Sequence, residues 1–374
     1  MVDRRAYWIW MQHGLGAGST KPLRILRSYE NIEQFYHSGE ESWRLEGIFT
    51  TKEIARLSSY SLEQAQAQLD FAEKLGQQVL TLDAPCFPSR LYQIPNPPCV
   101  LYIKGRLPDL GGERLAIAMV GTRHASGSGI ATAASLSYDL AKAGVVIVSG
   151  GALGIDTAAH KGAIRAEGET ICVLGCGIDF NYLMSNAALR ESVARHGALV
   201  SEYPPNSPAS ATTFPVRNRI IAGLCQGTVV VEAAGKSGSL ITADFALNQG
   251  RDVFAVPGDV SRVVSRGVNT LIQTGAKAVW RARDILEEYG LSAKIMQEPM
   301  RMDEIRREPA EVRPLPDDAS PAASLVYGCL TQEEQPLSAL SEHAGLDVRR
   351  VLAALTELEL LGVVRSYSGK RYSL

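Results

Sequence analysis

The sequence predicts an α/β fold: a doubly wound, mostly parallel sheet with a small helical domain before it and a winged helix after it. Three observations predict it. Short apolar runs alternate with amphipathic helical stretches between about residues 116 and 280, the signature of strands covered by helices on both faces. A stretch rich in Pro, Asp, Glu and Arg without periodicity follows at 292–321, as a solvated linker would. The tail beyond it reads helix, turn, helix, hairpin.

Each element has its own pattern. From 6 to 75 apolar residues recur at mixed three and four spacings, broken at Gly14 to Gly18, Gly39 and Gly47, which predicts short helices. After a Pro-rich stretch at 85–98, strands are expected at 116–120, 145–149, 171–174, 198–201, 228–232 and 252–256, with 278–280 as a weaker seventh. Helices are expected between them at 129–143, 155–167, 187–195, 216–225, 240–248 and 268–274. The tail predicts helices at 323–330, 337–343 and 348–361, a turn at Gly345, and strands at 363–367 and 371–374 around Ser368-Gly369. The expected domains are therefore a helical domain resembling SAM or helix-hairpin-helix modules at 1–80, a Rossmann-like domain at 81–290, a linker at 291–322 and a winged helix at 323–374.

Composition narrows the function. With 45% hydrophobic and 21% charged residues among 374, the chain has ample core-forming material and suits two or three domains. A formal net charge of −2 creates no global field toward nucleic acid or an anionic membrane, so any anion site is a local patch. The first ten residues lack the charged-then-apolar order of a signal peptide and no later run reaches membrane-spanning length, which predicts a cytoplasmic protein. The six cysteines form no Cys-x-x-Cys pair and no His cluster joins them, so reduced thiols are expected and no metal or cofactor.

Ligands of an open parallel sheet bind beyond the carboxyl ends of its strands, which directs attention to four strand-to-helix turns and one helix start. Gly121-Thr122-Arg123 combines free amides, a hydroxyl and a fixed cation, a phosphate-binding arrangement. Ser149-Gly150-Gly151 lets the backbone approach a ligand closely but lacks the dinucleotide spacing. In the helix after it, Asp156 and His160 lie four apart and read as a structural hydrogen-bonded pair rather than a metal or acid–base site. Gly175 to Asp179 is followed by Asn181, Tyr182 and Asn186, polar groups positioned to line the same cleft. Lys236-Ser237-Gly238 looks like a P-loop triplet, yet Val230 stands where such a loop needs glycine, so anion contact is expected there without triphosphate hydrolysis. Finally, Phe214, Arg217, Asn218 and Arg219 at a helix start suit phosphate contacts plus base stacking, as on single strands.

Taken together, MVGTRHASGSG, VSGGALGIDTAAHKGAI, CVLGCGID, GALVSEYPP, FPVRNRIIAGL, VVVEAAGKSGSLITADFALNQGR and VFAVPGD closely resemble the DNA-processing protein A family (DprA, or Smf), in the family's order. Leu183 and Val268 stand where that family usually has proline and threonine. The resemblance implies a non-catalytic protein that binds single-stranded DNA on the Rossmann-like domain, forms a homodimer and loads the RecA recombinase in natural transformation. Carried onto this sequence, the pocket would comprise Arg123 of its turn, Ser149 to Gly151, Arg217 to Arg219 and Lys236 to Gly238.

Two other readings compete. A phosphoribohydrolase-type enzyme needs a Pro-Gly-Gly-x-Gly-Thr-x-x-Glu loop, and Pro257-Gly258-Asp259 breaks that pattern at once. A duplex-binding regulator would use Arg349, Arg350, Arg365, Lys370 and Arg371 of the winged helix, where Glu333, Glu334, Glu357 and Glu359 dilute the charge. No nucleophile, base and orienter fall in a defensible order, so no catalytic residue is assigned.

Overall fold

Polar side-chain caps, Asp3, Asn31, Thr50 and Ser61, start four of the first five helices. The computed structural model describes residues 2–112, 114–291, 315, 319–331, 333, 335–361, 363–367 and 371–374, and divides into two compact units, Met1–Met302 and Asp303–Leu374. The first unit opens with α1 (Arg4–Leu15), α2 (Pro22–Ser28), α3 (Ile32–Leu45), α4 (Thr51–Ser59) and α5 (Leu62–Lys74). Thr50 with Glu53 and Ser61 with Gln64 close reciprocal capping boxes that start α4 and α5. Gly39 kinks α3 by taking φ 75°, a left-handed value that glycine adopts without steric cost.

The sheet follows: β1 (Gln78–Thr81), α6 (Ser89–Tyr92), β2 (Val100–Gly105), β3 (Ala116–Val120), α7 (Gly127–Lys142), β4 (Val146–Ser149), α8 (Ile155–Arg165), β5 (Thr170–Leu174), α9 (Ala187–His196), β6 (Gly197–Ser201), α10 (Thr213–Gly223), β7 (Gly227–Val230), α11 (Gly238–Asn248), β8 (Asp252–Ala255), α12 (Arg266–Gln273), β9 (Lys277–Ala278) and α13 (Ala282–Leu286). Its nine strands run in the order β1-β2-β6-β5-β4-β3-β7-β8-β9. From β6 to β9 every pairing is parallel, whereas β2 joins β6, and β1 joins β2, antiparallel. Strands β3 to β7 are buried at every position, as a sheet covered on both faces requires. The two antiparallel strands lie on either side of the Pro-rich stretch, where sequence reading anticipated none.

One core runs from α1 through the sheet, including Trp8, Trp10, Phe35, Leu69, Val100, Ala118 and Val200. The expected boundary after residue 80 falls inside β1. A buried polar joint adds to the apolar contact. The Gln12 side chain accepts from Val100 N at 2.9 Å and donates to the Glu202 carbonyl. Arg219 on α10 donates to the Glu202 carboxylate at 2.7 Å, both side chains being almost wholly buried (1% and 3% exposed), and Gly18 N reaches the same oxygen at 3.3 Å.

The second unit contains α14 (Pro321–Cys329), β10 (Gln335–Pro336), α15 (Leu337–Ala344), α16 (Val348–Leu360), β11 (Arg365–Tyr367) and β12 (Arg371–Ser373), with an antiparallel sheet in the order β10-β12-β11. Val326, Leu340, Val351, Leu355 and Leu358 form its separate core. Gly345 turns the chain at φ 62°, and Asp347 caps α16 by accepting from Arg349 N and Arg350 N. This is a winged helix. The expected linker at 291–322 falls largely outside the described residues, as does the hairpin tip at 368–370. Among the described residues no helix is long and apolar enough to cross a membrane.

Removing one partner of a buried ion pair strands the other charge in a low dielectric. Glu202→Ala is expected to destabilise the first unit by about 3–5 kcal/mol, read as a lower urea midpoint; an unchanged midpoint would mean that Arg219 finds another counter-charge.

Candidate nucleic-acid interface

The direction of winding reverses between β3 and β7. The chain runs outward from β3 through β4 and β5 to β6, then returns to place β7 on the other side of β3. At such a switch point the loops beyond the two central strands diverge and leave a crevice. A cavity of about 700 Å³ opens there, walled by the turn after β3, the first turns of α10 and the start of α11.

Close backbone packing builds the first wall. A side chain at Gly121 would meet Ile155 and the Glu232 carbonyl, which accepts from Thr122 N at 2.8 Å. Gly154, at φ 76°, passes so near the Thr122 carbonyl that a Cβ would sit 2.4 Å from it. The turn thus presents Thr122, Arg123 and His124 to the cavity, with Arg123 and His124 exposed. The Arg123 guanidinium lies over the Phe214 ring, 5.1 Å from its centroid, and the Tyr182 ring packs against Phe214, tilted by 42° with centroids 5.3 Å apart. Among the described residues Arg123 has no carboxylate partner within ion-pair distance.

The floor is a different environment. Arg217 is buried, donates to the carbonyls of Gly150 (2.8 Å) and Val173, and lies 6.0 Å from the Phe214 centroid. Asp156, also buried, accepts from Ala152 N at 3.2 Å. A Cβ at Gly150 would lie 2.7 Å from Arg217 Nη2 and 2.8 Å from Asp156 Oδ2, so that glycine separates two opposite buried charges. Burial pushes the Asp156 carboxyl above its ordinary value and the Arg217 guanidinium below its own, and the attraction between them opposes both shifts. Asn218 donates to the Gly238 carbonyl at 3.2 Å and joins α10 to the start of α11, where Ser237 caps the helix by accepting from Ser239 N.

The expected site residues therefore separate by depth. Gly121, Thr122, Arg123, Phe214, Arg217, Asn218, Ser237 and Gly238 line the cavity. Ser149, Gly150 and Gly151 lie buried behind it: Ser149 Oγ donates to the Met119 carbonyl at 2.6 Å, and Gly151 packs against Cys172. Lys236 is exposed on the turn before α11, outside the lining. Arg219 does not belong to the site. Its burial against Glu202 leaves its charge already compensated, which overturns its expected phosphate contact.

The expected Asp156–His160 bond is also corrected. Thr170 Oγ1 gives its single proton to the Ile147 carbonyl at 2.8 Å and so accepts from His160 Nδ1 at 2.7 Å. That fixes a proton on Nδ1 and leaves Nε2 buried and unpartnered. Asn186 is structural, donating to Thr157 Oγ1 and the Gly151 carbonyl. Leu183 takes φ 49°, a value that a proline ring cannot adopt. Sequence reading took Tyr182 only for its polarity and missed Phe180, His124 and Thr242 in the lining. The aromatic pair spaced two residues apart after Gly175 to Asp179 was the available signal. Among the described residues no three His, Cys, Asp or Glu side chains converge as a metal site would.

A family profile described as DNA recombination-mediator protein A matches residues 78–290, more than half the chain, and a second, the DprA winged helix domain, matches residues 308–370. The chain belongs to the DNA-processing protein A family. Its similarity to DprA proteins reaches 43% identity with that of Bacillus subtilis, over 57% of this chain and 71% of the relative. It is 32% identical to Protein Smf of Synechocystis over 99% of this chain and 98% of that one. The X-ray structure of DprA from Streptococcus pneumoniae superposes with a TM-score of 0.61 at 34% identity, covering 76% of this chain and 97% of that one. The DprA of Helicobacter pylori, whose structure is described for its single-stranded DNA binding mode, superposes with a TM-score of 0.51 at 30% identity, covering 56% and 95%.

Burial pushes the His160 imidazole from an ordinary 6.5 down to about 3, and the Arg217 charge adds to the effect. The unfolded chain therefore takes up this proton first. The stability that His160 contributes is complete above about pH 6.5 and is lost as pH falls toward 3, with a slope of at most about 1.4 kcal/mol per pH unit. Asp156 acts oppositely at the acid end, because its raised value lets the folded state hold the proton first. His160→Gln is expected to flatten the acid limb of stability measured by urea titration at several pH values; a limb of unchanged steepness would assign it to other groups.

Proposed function

We propose that this protein is a non-catalytic mediator that holds single-stranded DNA in the switch-point cavity, protects it, and loads the RecA recombinase during natural transformation, acting as a homodimer in the cytoplasm. The observation that carries the binding claim is Arg123, exposed, with no carboxylate within ion-pair distance among the described residues, and lying over the Phe214 ring that Tyr182 packs against. A fixed guanidinium draws phosphate and an aromatic face takes a base, and that combination holds single strands with little sequence preference. The Helicobacter pylori relative, whose single-stranded DNA binding mode has been described, supports the same assignment. Family membership supports the mediator role; the recombinase and the dimer are proposed on that ground.

The floor supports binding rather than turnover. The Ser149 hydroxyl gives its proton to the Met119 carbonyl, His160 is bonded to Thr170, and Asp156, beside Ser149, is set against Arg217, which supports structural roles for all three.

Phe214→Ala is expected to weaken binding of a labelled oligothymidylate by roughly 1–3 kcal/mol, the range for one lost base–aromatic stack. Arg123→Ala is expected to reduce the log–log salt slope by about 0.7, one phosphate contact on a single strand. Fluorescence anisotropy at several salt concentrations reads both effects. Wild-type affinity and slope in both variants would refute the placement of the strand.

A further inference from the structure

The cationic character of the sheet's carboxyl edge continues past the cavity. The segment between β8 and α12 returns to the neighbouring strand end: Ala233 N donates to the Val264 carbonyl, and Gly267 N donates to the Ala233 carbonyl, both at 2.8 Å. Because Thr122 N in turn donates to the adjacent Glu232 carbonyl, Arg262 and Arg266, both exposed, belong to a segment whose backbone is seated next to the turn that carries Arg123. Arg262 Nη1 reaches across to Ser128 Oγ at 3.4 Å, in the first turn of α7. Among the described residues neither arginine has a carboxylate within ion-pair distance.

The nearby carboxylates are occupied. Glu232 accepts from Ser126 N at 2.9 Å and from Ser126 Oγ at 2.5 Å, and Gly129 packs against it so closely that a Cβ would sit 2.4 Å from its carboxyl carbon. Asp259 accepts from Ser261 N and Oγ within its own loop, bonds that hold its carboxyl below the ordinary range, and the Arg262 charge adds to them without forming an ion pair. The same segment carries apolar side chains that folding leaves in water, Val260 at 84% exposure and Val263 at 59%, and Ile130, at 42%, stands two residues beyond Ser128 on α7. Cations alternating with apolar surface suit phosphates and unstacked bases of one strand.

We infer that Arg262 and Arg266, with Ser128 and the exposed valines, form a second contact ridge for the same single strand, gripping nucleotides that leave the cavity past Arg123. This rests on the single-strand reading of the cavity and extends its footprint across the Gly121–Ser126 turn onto the α7 side.

The test compares a short oligothymidylate of about 4 nucleotides with one of about 16, the span of site sizes for single-strand grooves. The variant is Arg262→Ala with Arg266→Ala, read by anisotropy against salt. The long strand is expected to bind more weakly, with a log–log slope smaller by about 1.4 for two lost contacts, while the short strand keeps its affinity. Replacing both arginines with lysine is expected to restore the slope, because the charge alone carries it, and so separates lost contact from damaged folding. An unchanged long-strand slope, or an equal loss on both strands, would overturn the ridge. Binding of neither strand by the unsubstituted protein would overturn the cavity reading as well.

Discussion

Arg217 and Arg219 are two residues apart on α10, so their side chains leave the helix about 200° apart and point to opposite sides. Arg219 reaches the Glu202 carboxylate at the joint with the N-terminal helices, and Arg217 reaches the carbonyls of Gly150 and Val173 beneath the cavity. Helix α10 is thereby clamped from both sides by buried guanidinium groups. Its first turn carries Phe214, so the position of the aromatic face depends on this clamp. The sheet supplies the crevice, and the clamp decides what stands at its mouth.

Charge is then divided by depth. Buried positive charge in the floor is set against Asp156 and backbone carbonyls, which leaves little attraction for a phosphate there. The exposed charge sits on turns and at a helix start, with Arg123 after β3, Lys236 before α11, Arg262 after β8 and Arg266 at the start of α12. A molecule with net charge near zero can in this way present a local cationic edge. Attraction of that kind is screened by salt, whereas the floor's pairing, out of water, is screened far less.

Much of this was legible in the sequence because it depends on local pattern. The six strands from β3 to β8 are short, largely apolar runs separated by helices, with glycine turns at several of their ends, and β9 is two residues at the edge of the weaker expected seventh. The antiparallel strands β1 and β2 were not legible: β1 is four residues long, and β2 directly follows prolines that read as a boundary. Helical phase could have separated Arg217 from Arg219, but which side held Glu202 depends on the end of β6 meeting α1, a contact between residues 190 apart in the sequence. His160 was paired with the carboxylate four residues away, whereas its partner is Thr170 on the next strand. Local spacing proposes partners; packing of distant segments chooses among them.

The most direct test of the central claim is photo-crosslinking of the full-length protein to an oligothymidylate carrying 5-iodouracil, with the adducts located by mass spectrometry. Base stacking at the switch-point cavity predicts adducts on Phe214 or Tyr182. Adducts confined to residues 321–374 would contradict it and assign the nucleic acid to the winged helix.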